Sequence, residues 1–173
     1  MIPATTRVAL LRASVLLVLV AAACATPEPQ PITYGVDQCD YCRMTITDER
    51  YGAELVTRTG LVRRFDSPEC LAAYTHEHPE EEVHSRWVTD FRRPPRLIRV
   101  EEAYFLHSPN LRSPMGLNLT AFGEAIEQEA VLNSFGGEIL SWDGVLGLVG
   151  REWIESGTGP SMHGPGAMPA YAH

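Results

Sequence analysis

The chain has 173 residues, 14 basic against 22 acidic side chains, and 45% hydrophobic residues. That size suits one compact domain or two very small ones, and it excludes both wholesale disorder and a large multidomain enzyme. A net charge of −8 argues against a nucleic-acid binder, because an acidic surface repels phosphates.

Every basic side chain is Arg, which removes lysine Schiff-base chemistry and a phosphate-loop lysine. Near the start, Arg7 and Arg12 accompany an apolar run from Ala13 to Ala23 that ends in Ala21-Ala22-Ala23-Cys24. The run is too short to cross a hydrocarbon layer of ~30 Å. It resembles a bacterial lipoprotein signal over residues 1–23, with Cys24 lipidated and made the first residue of the mature chain. Plain secretion after an Ala-x-Ala site is the alternative, and both readings take the protein out of the cytoplasm. Residues 24–34, with Pro27, Pro29 and Pro31, read as an extended tether to the membrane.

Setting Cys24 aside leaves Cys39, Cys42 and Cys70, an odd number for an oxidising compartment. Either one pair closes and one thiol stays free, or all three are kept reduced for a task such as metal binding. Residues 35–94 form a first unit. Its Cys39-Asp40-Tyr41-Cys42-Arg43-Met44 segment places two thiols and a thioether within one short stretch. Soft sulfur favours Cu(I); two thiolates with imidazoles would suit zinc, and Met44 tips the choice toward copper. A structural disulfide with Met44 in a core is the competing reading. Next, Ala53-Leu55 and Leu61-Val62-Phe65 around Arg58-Thr59-Gly60 read as two strands and a tight turn. Asp66-Ser67-Pro68-Glu69 starts a helix that carries Cys70 in its first turn, where unpaired N–H groups and the helix dipole favour thiolate. Cys70 is thus either a third sulfur for the site or a buried filler. After Glu80-Glu81-Glu82, Arg86 to Asp90 reads as a strand, and the order is ββαβ.

The basic, proline-rich Arg92 to Arg96 break leads into a second unit over residues 95–154 that repeats the order. Val100 to Leu106 and Met115 to Thr120 read as strands, Ala121 to Phe135 as a helix stopped by Gly136-Gly137, and Glu138 to Trp142 as a strand. In both units the last strand ends at an aspartate, Asp90 and Asp143. Each unit alone has too small a core to be secure, so the two should share an interface or lean on a staple. Met115, taken alone, is more typical of packing than of a ligand. His76, His78, His84 and His107 are scattered. Residues 155–173 read as a disordered Gly/Pro tail carrying Met162, His163, Met168 and His173, which could hold copper loosely or contain soft donors by chance. No nucleophilic triad and no phosphate loop stands out, which points away from an enzyme; a thiol oxidoreductase would place its Cys-x-x-Cys at the start of a helix, and this one precedes a hairpin.

Several segments together resemble the NosL family of accessory lipoproteins for nitrous-oxide reductase. They are the signal with its cysteine, Cys39 to Ile46, Phe65 to Leu71, Ser113-Pro114-Met115-Gly116, Ala121-Phe122 and Gly136 to Leu140. The resemblance implies an α+β fold of two tandem ββαβ units, akin to treble-clef folds. It also implies a membrane-anchored, periplasmic Cu(I) chaperone for nitrous-oxide reductase or another copper-accepting protein. By position, Cys39, Cys42 and Met44 match the family's Cys-x-x-Cys-x-Met segment, and Met115 matches the Met of its Met-Gly strand and so becomes a candidate ligand. Arg43 stands where the family commonly has Gly, and no histidine here can be matched to the family's histidine ligand. A zinc- or disulfide-stapled interaction module is the alternative function.

Overall fold

The computed structural model describes residues 26–160. The segment read as an export signal, Cys24 and the Met/His positions of the tail lie outside them. The fold is α+β, with two small sheets and their helices. Strand β1 (Ala53–Thr57) and strand β2 (Val62–Phe65) form the expected hairpin, followed by helix α1 (Pro68–Glu77) and strand β3 (Val83–Thr89). Strand β1 lies between β2 and β3 and is buried along its whole length. The hairpin closes through the Thr57 N–H, which donates to the Leu61 carbonyl at 2.9 Å. Helix α1 begins where the sequence signals it: the Ser67 side chain accepts the Cys70 N–H, and Pro68 occupies the first turn, where its missing N–H costs nothing.

Strand β4 (Leu97–Arg99) comes next and pairs antiparallel with β3, completing a four-stranded sheet. It lies beyond the expected boundary between residues 94 and 95, so the proline-rich break is a corner of the first sheet. Asp90, fully buried, anchors that corner through Arg93 at 2.9 Å and Arg96 at 3.6 Å. The expected strand over 100–106 starts only at Tyr104, because Glu102 and Ala103 turn back onto the carbonyls of Arg99 and Val100.

The second sheet has strand β5 (Tyr104–His107) at its centre, flanked by β6 (Leu119–Phe122) and β7 (Glu138–Leu140). Helix α2 (Ala125–Phe135) starts later than expected, because Ala121 and Phe122 stay in register with Phe105 and Tyr104 on β5. Gly137, at φ +125, brings the backbone so close to His107 that an added Cβ would lie 2.3 Å from its carbonyl oxygen.

Beyond β7 the sequence reading needs its largest correction. Residues 142–155 are helical: α3 (Trp142–Val149) runs into a π-helical turn over Gly150–Glu155. Ser141 caps α3, and Asp143 belongs to its first turn and not to the end of a strand. This helix packs on α1, where the His76 imidazole is 2.7 Å from the Leu146 carbonyl oxygen. The two units share one core that runs from Cys39 and Phe65 through Phe105 and Leu119 to Val149 and Trp153. A smaller core under α2 holds Leu106, Phe122 and Val131.

Candidate metal centre

The segment 38–45 folds back on itself as a knuckle. Gln38 bridges Thr45, the Cys39 N–H donates to the Met44 carbonyl at 2.8 Å, and the Arg43 N–H donates to the Cys39 carbonyl at 3.0 Å. To close this turn Arg43 adopts φ 65, a left-handed conformation that disfavours any residue with a Cβ. Glycine, with no Cβ, would take this conformation without that cost. Asp40 fixes the knuckle to β2: its N–H donates to the Arg64 carbonyl at 2.8 Å, and its carboxylate accepts the Arg64 N–H at 2.9 Å.

The knuckle faces the first turn of α1, and there the sulfurs of Cys39, Cys42 and Cys70 lie within 4.8 Å of one another. None of the three is in a disulfide; Cys39 and Cys70 are buried and Cys42 is half-buried. Cys42 is therefore the sulfur through which the cluster meets solvent.

One negative charge fits this arrangement. The thiols of Cys42 and Cys70 donate to the Cys39 sulfur, which also receives backbone N–H groups from Cys42 and Asp66, and these hydrogen bonds pull the Cys39 pKa down to about 3 against the opposing effect of burial. As donor to that thiolate, Cys42 is pushed up to about 11. Cys70 is raised well above the ordinary thiol range, first by burial and then by its bond to Cys39. The expectation that the helix start would make Cys70 a thiolate is thus reversed. Its N–H is already taken by Ser67, and the neighbouring thiolate makes a second charge expensive. Buried Asp66 is raised to about 6 by burial and by the Cys39 charge.

The other expected ligands fall around this cluster. Met44 ends the knuckle with 49% of its surface exposed, and Met115 is half-buried against the core that contains Cys39 and Cys70. Met115 does not begin a strand. It sits in a loop ahead of β6, where Gly116 at φ 86 and Asn118 at φ 60 turn the chain. Among the described residues no histidine joins the cysteines. His78 faces Glu80 at 3.2 Å. Two residues the sequence reading passed over cover the site. Tyr41, between the knuckle cysteines, stacks on Trp153 with ring centroids 6.5 Å apart and planes within 2°, and its hydroxyl donates to Glu77 at 2.9 Å. The helical spacing Trp142, Val145, Val149, Trp153 was the available signal for that cover.

The NosL family model matches residues 31–147. No curated protein matches the sequence. The crystal structure of the copper chaperone NosL from Shewanella denitrificans aligns with a TM-score of 0.61 at 25% identity, covering 69% of this chain and 96% of that one.

Two outcomes are expected. Arg43→Gly should raise the stability of the metal-free protein by roughly 0.5–1 kcal/mol, because relief of the left-handed strain outweighs glycine's extra freedom in the unfolded chain. Denaturant titration of the two proteins checks it, and an unchanged or lowered stability contradicts it. The cluster should also leave a pH signature. Cys39 is depressed, so below the ordinary thiol range the folded chain holds fewer protons there than the unfolded one and its contribution grows with pH. Cys42 and Cys70 are raised, so above that range the folded chain keeps two protons that the unfolded chain releases, and stability falls. The stability difference between the reduced protein and its triple Cys→Ser variant should peak near about pH 8.5; a difference flat with pH would rule out the shared thiolate.

Proposed function

The chain belongs to the NosL family, and on that premise we propose that it is an extracytoplasmic Cu(I) carrier with no catalytic turnover. The observation that carries this reading is the three-sulfur cluster of Cys39, Cys42 and Cys70. Thiolates hold Cu(I) in low coordination, and thioethers add neutral soft donors. Met44 and Met115 are the candidates for that second role. Structural zinc sites close four protein ligands. Among the described residues this cluster offers three cysteines, and no histidine, aspartate or glutamate ligand atom falls within the same 4.8 Å group. That incomplete set favours Cu(I) over the zinc-stapled reading, and the unbonded sulfurs favour it over the disulfide-stapled one.

Buried Cys39 and Cys70 retain the ion while half-buried Cys42 offers the sulfur that an acceptor's ligand can reach first. Transfer then proceeds by replacing one sulfur at a time, so that the ion is never released to water. The acidic surface favours docking on a basic patch of the recipient. We take that recipient to be nitrous-oxide reductase or another copper-accepting protein of the periplasm. Cys24, lipidated, would keep the carrier at the membrane, with residues 24–34 as its tether; one acyl chain alone binds marginally, so several are required.

The test is anaerobic competition of the reduced protein for Cu(I) and for Zn(II) against chelators, with metal analysis. One tightly held Cu(I) and weak zinc are expected. Cys39→Ser with Cys42→Ser should lower Cu(I) affinity by more than about 100-fold, since even outer-shell partners cost 10–100-fold. Preference for zinc, or unchanged Cu(I) affinity in the double variant, sinks the reading.

A further inference from the structure

Glu69 has no place in the sulfur cluster, yet it is fully buried next to Cys70 in the first turn of α1. A buried carboxylate costs stability unless its hydrogen bonds are met. Its partners lie on the loop that carries Met115. One carboxylate oxygen accepts the Ser113 hydroxyl in a short hydrogen bond and the Leu119 N–H at 3.2 Å. The other oxygen has no hydrogen-bond partner, and the two bonds made by the first go to Ser113 in that loop and to Leu119 at the start of β6, where the loop ends.

Ser113 is itself the hub of the loop. Its oxygen accepts the N–H of Gly116 at 3.2 Å and of Asn118 at 2.9 Å while its proton goes to Glu69. Residues 113–118 are therefore wrapped around a single hydroxyl, with Met115 at the crest and two left-handed residues, Gly116 and Asn118, making the wrap possible. From the other side the Tyr51 hydroxyl donates to the Arg112 carbonyl at 2.8 Å, which ties the loop's entry to the turn just before β1. The carboxylate that orders this loop is one residue from Cys70. The position of Met115 relative to the sulfurs is thus set by a link of two side chains, Glu69 and Ser113.

We propose that Glu69, acting through Ser113, is a positioning residue that holds the Met115 thioether at the Cu(I) site. The inference rests on the reading of Met115 as a ligand. Glu69 touches no metal in this account; it fixes where a ligand on the second unit stands relative to a ligand on the first. A buried acid that makes no ion pair is a costly core filler, and holding the loop gives it a use that an apolar residue of the same size would not have.

The experiment is a double-mutant cycle on Cu(I) affinity in the otherwise intact, reduced protein, with Ser113→Ala, Met115→Ala and the pair, each checked for folding by circular dichroism. Glu69→Ala is the direct variant, and Ser113→Ala tests the same link without removing a side chain from α1. Met115→Ala and Ser113→Ala are each expected to weaken binding about tenfold, the lower end of outer-shell effects, and the pair no further than either alone. Ser113→Thr, which keeps the hydroxyl, should restore the affinity. The Met115 methyl resonance should move on adding Cu(I) to the unmodified protein and stay still in Ser113→Ala. A Ser113→Ala protein that binds as tightly as the parent, or losses that multiply in the pair, overturns the proposal while leaving Met115 a ligand. A Met115→Ala protein that binds normally overturns both the ligand reading and this one, and Cu(I) binding by the cysteines is measured independently of either.

Discussion

Three sulfur atoms within 4.8 Å of one another, two of them buried, are the constraint around which this protein is arranged. Three thiolates at that spacing would repel strongly in a low-dielectric interior, and three thiols would gain little from meeting. One thiolate flanked by two thiols resolves the conflict: a single negative charge on Cys39 is held by the thiols of Cys42 and Cys70 and by backbone N–H groups. The rest of the first unit serves that contact. The knuckle closes on a left-handed Arg43, β2 grips Asp40, and Ser67 starts the helix that delivers Cys70.

The second ββαβ unit repeats the order of the first and carries no sulfur knuckle. Its contribution is enclosure. Helix α3 and its π-helical extension lean on α1 and set Trp153 against Tyr41, while the loop before β6 brings Met115 to the same core. A unit of about fifty residues has little core of its own in which to bury Cys39 and Cys70.

Much of this was legible in the sequence, for local reasons. The Cys-x-x-Cys-x-Met run, the Ser67-Pro68 helix start and the Arg58-Thr59-Gly60 turn are each short-range signals, and each folds as its chemistry dictates. Errors arose where tertiary pairing overrides local pattern. Ala121 and Phe122 look like the start of a helix and are held in β6 by β5. Trp142 to Val149 was passed over because Gly144, Gly147 and Gly150 lower helix propensity, while its burial against α1 compensates for them. The Cys70 pKa was misjudged because the helix dipole is visible in sequence and a neighbouring thiolate is not. In the sequence Glu69 is one more acid at a helix start, and only the fold shows that Ser113 of the Met115 loop is its partner.

The most direct test of the account is X-ray absorption at the copper edge of the Cu(I)-loaded protein. The account predicts a first shell made of sulfur alone, with Cys39, Cys42 and Cys70 each required for it. A first shell containing nitrogen or oxygen, or one unchanged when Cys70 is replaced by Ser, would show that the cluster seen here is not where the copper is carried.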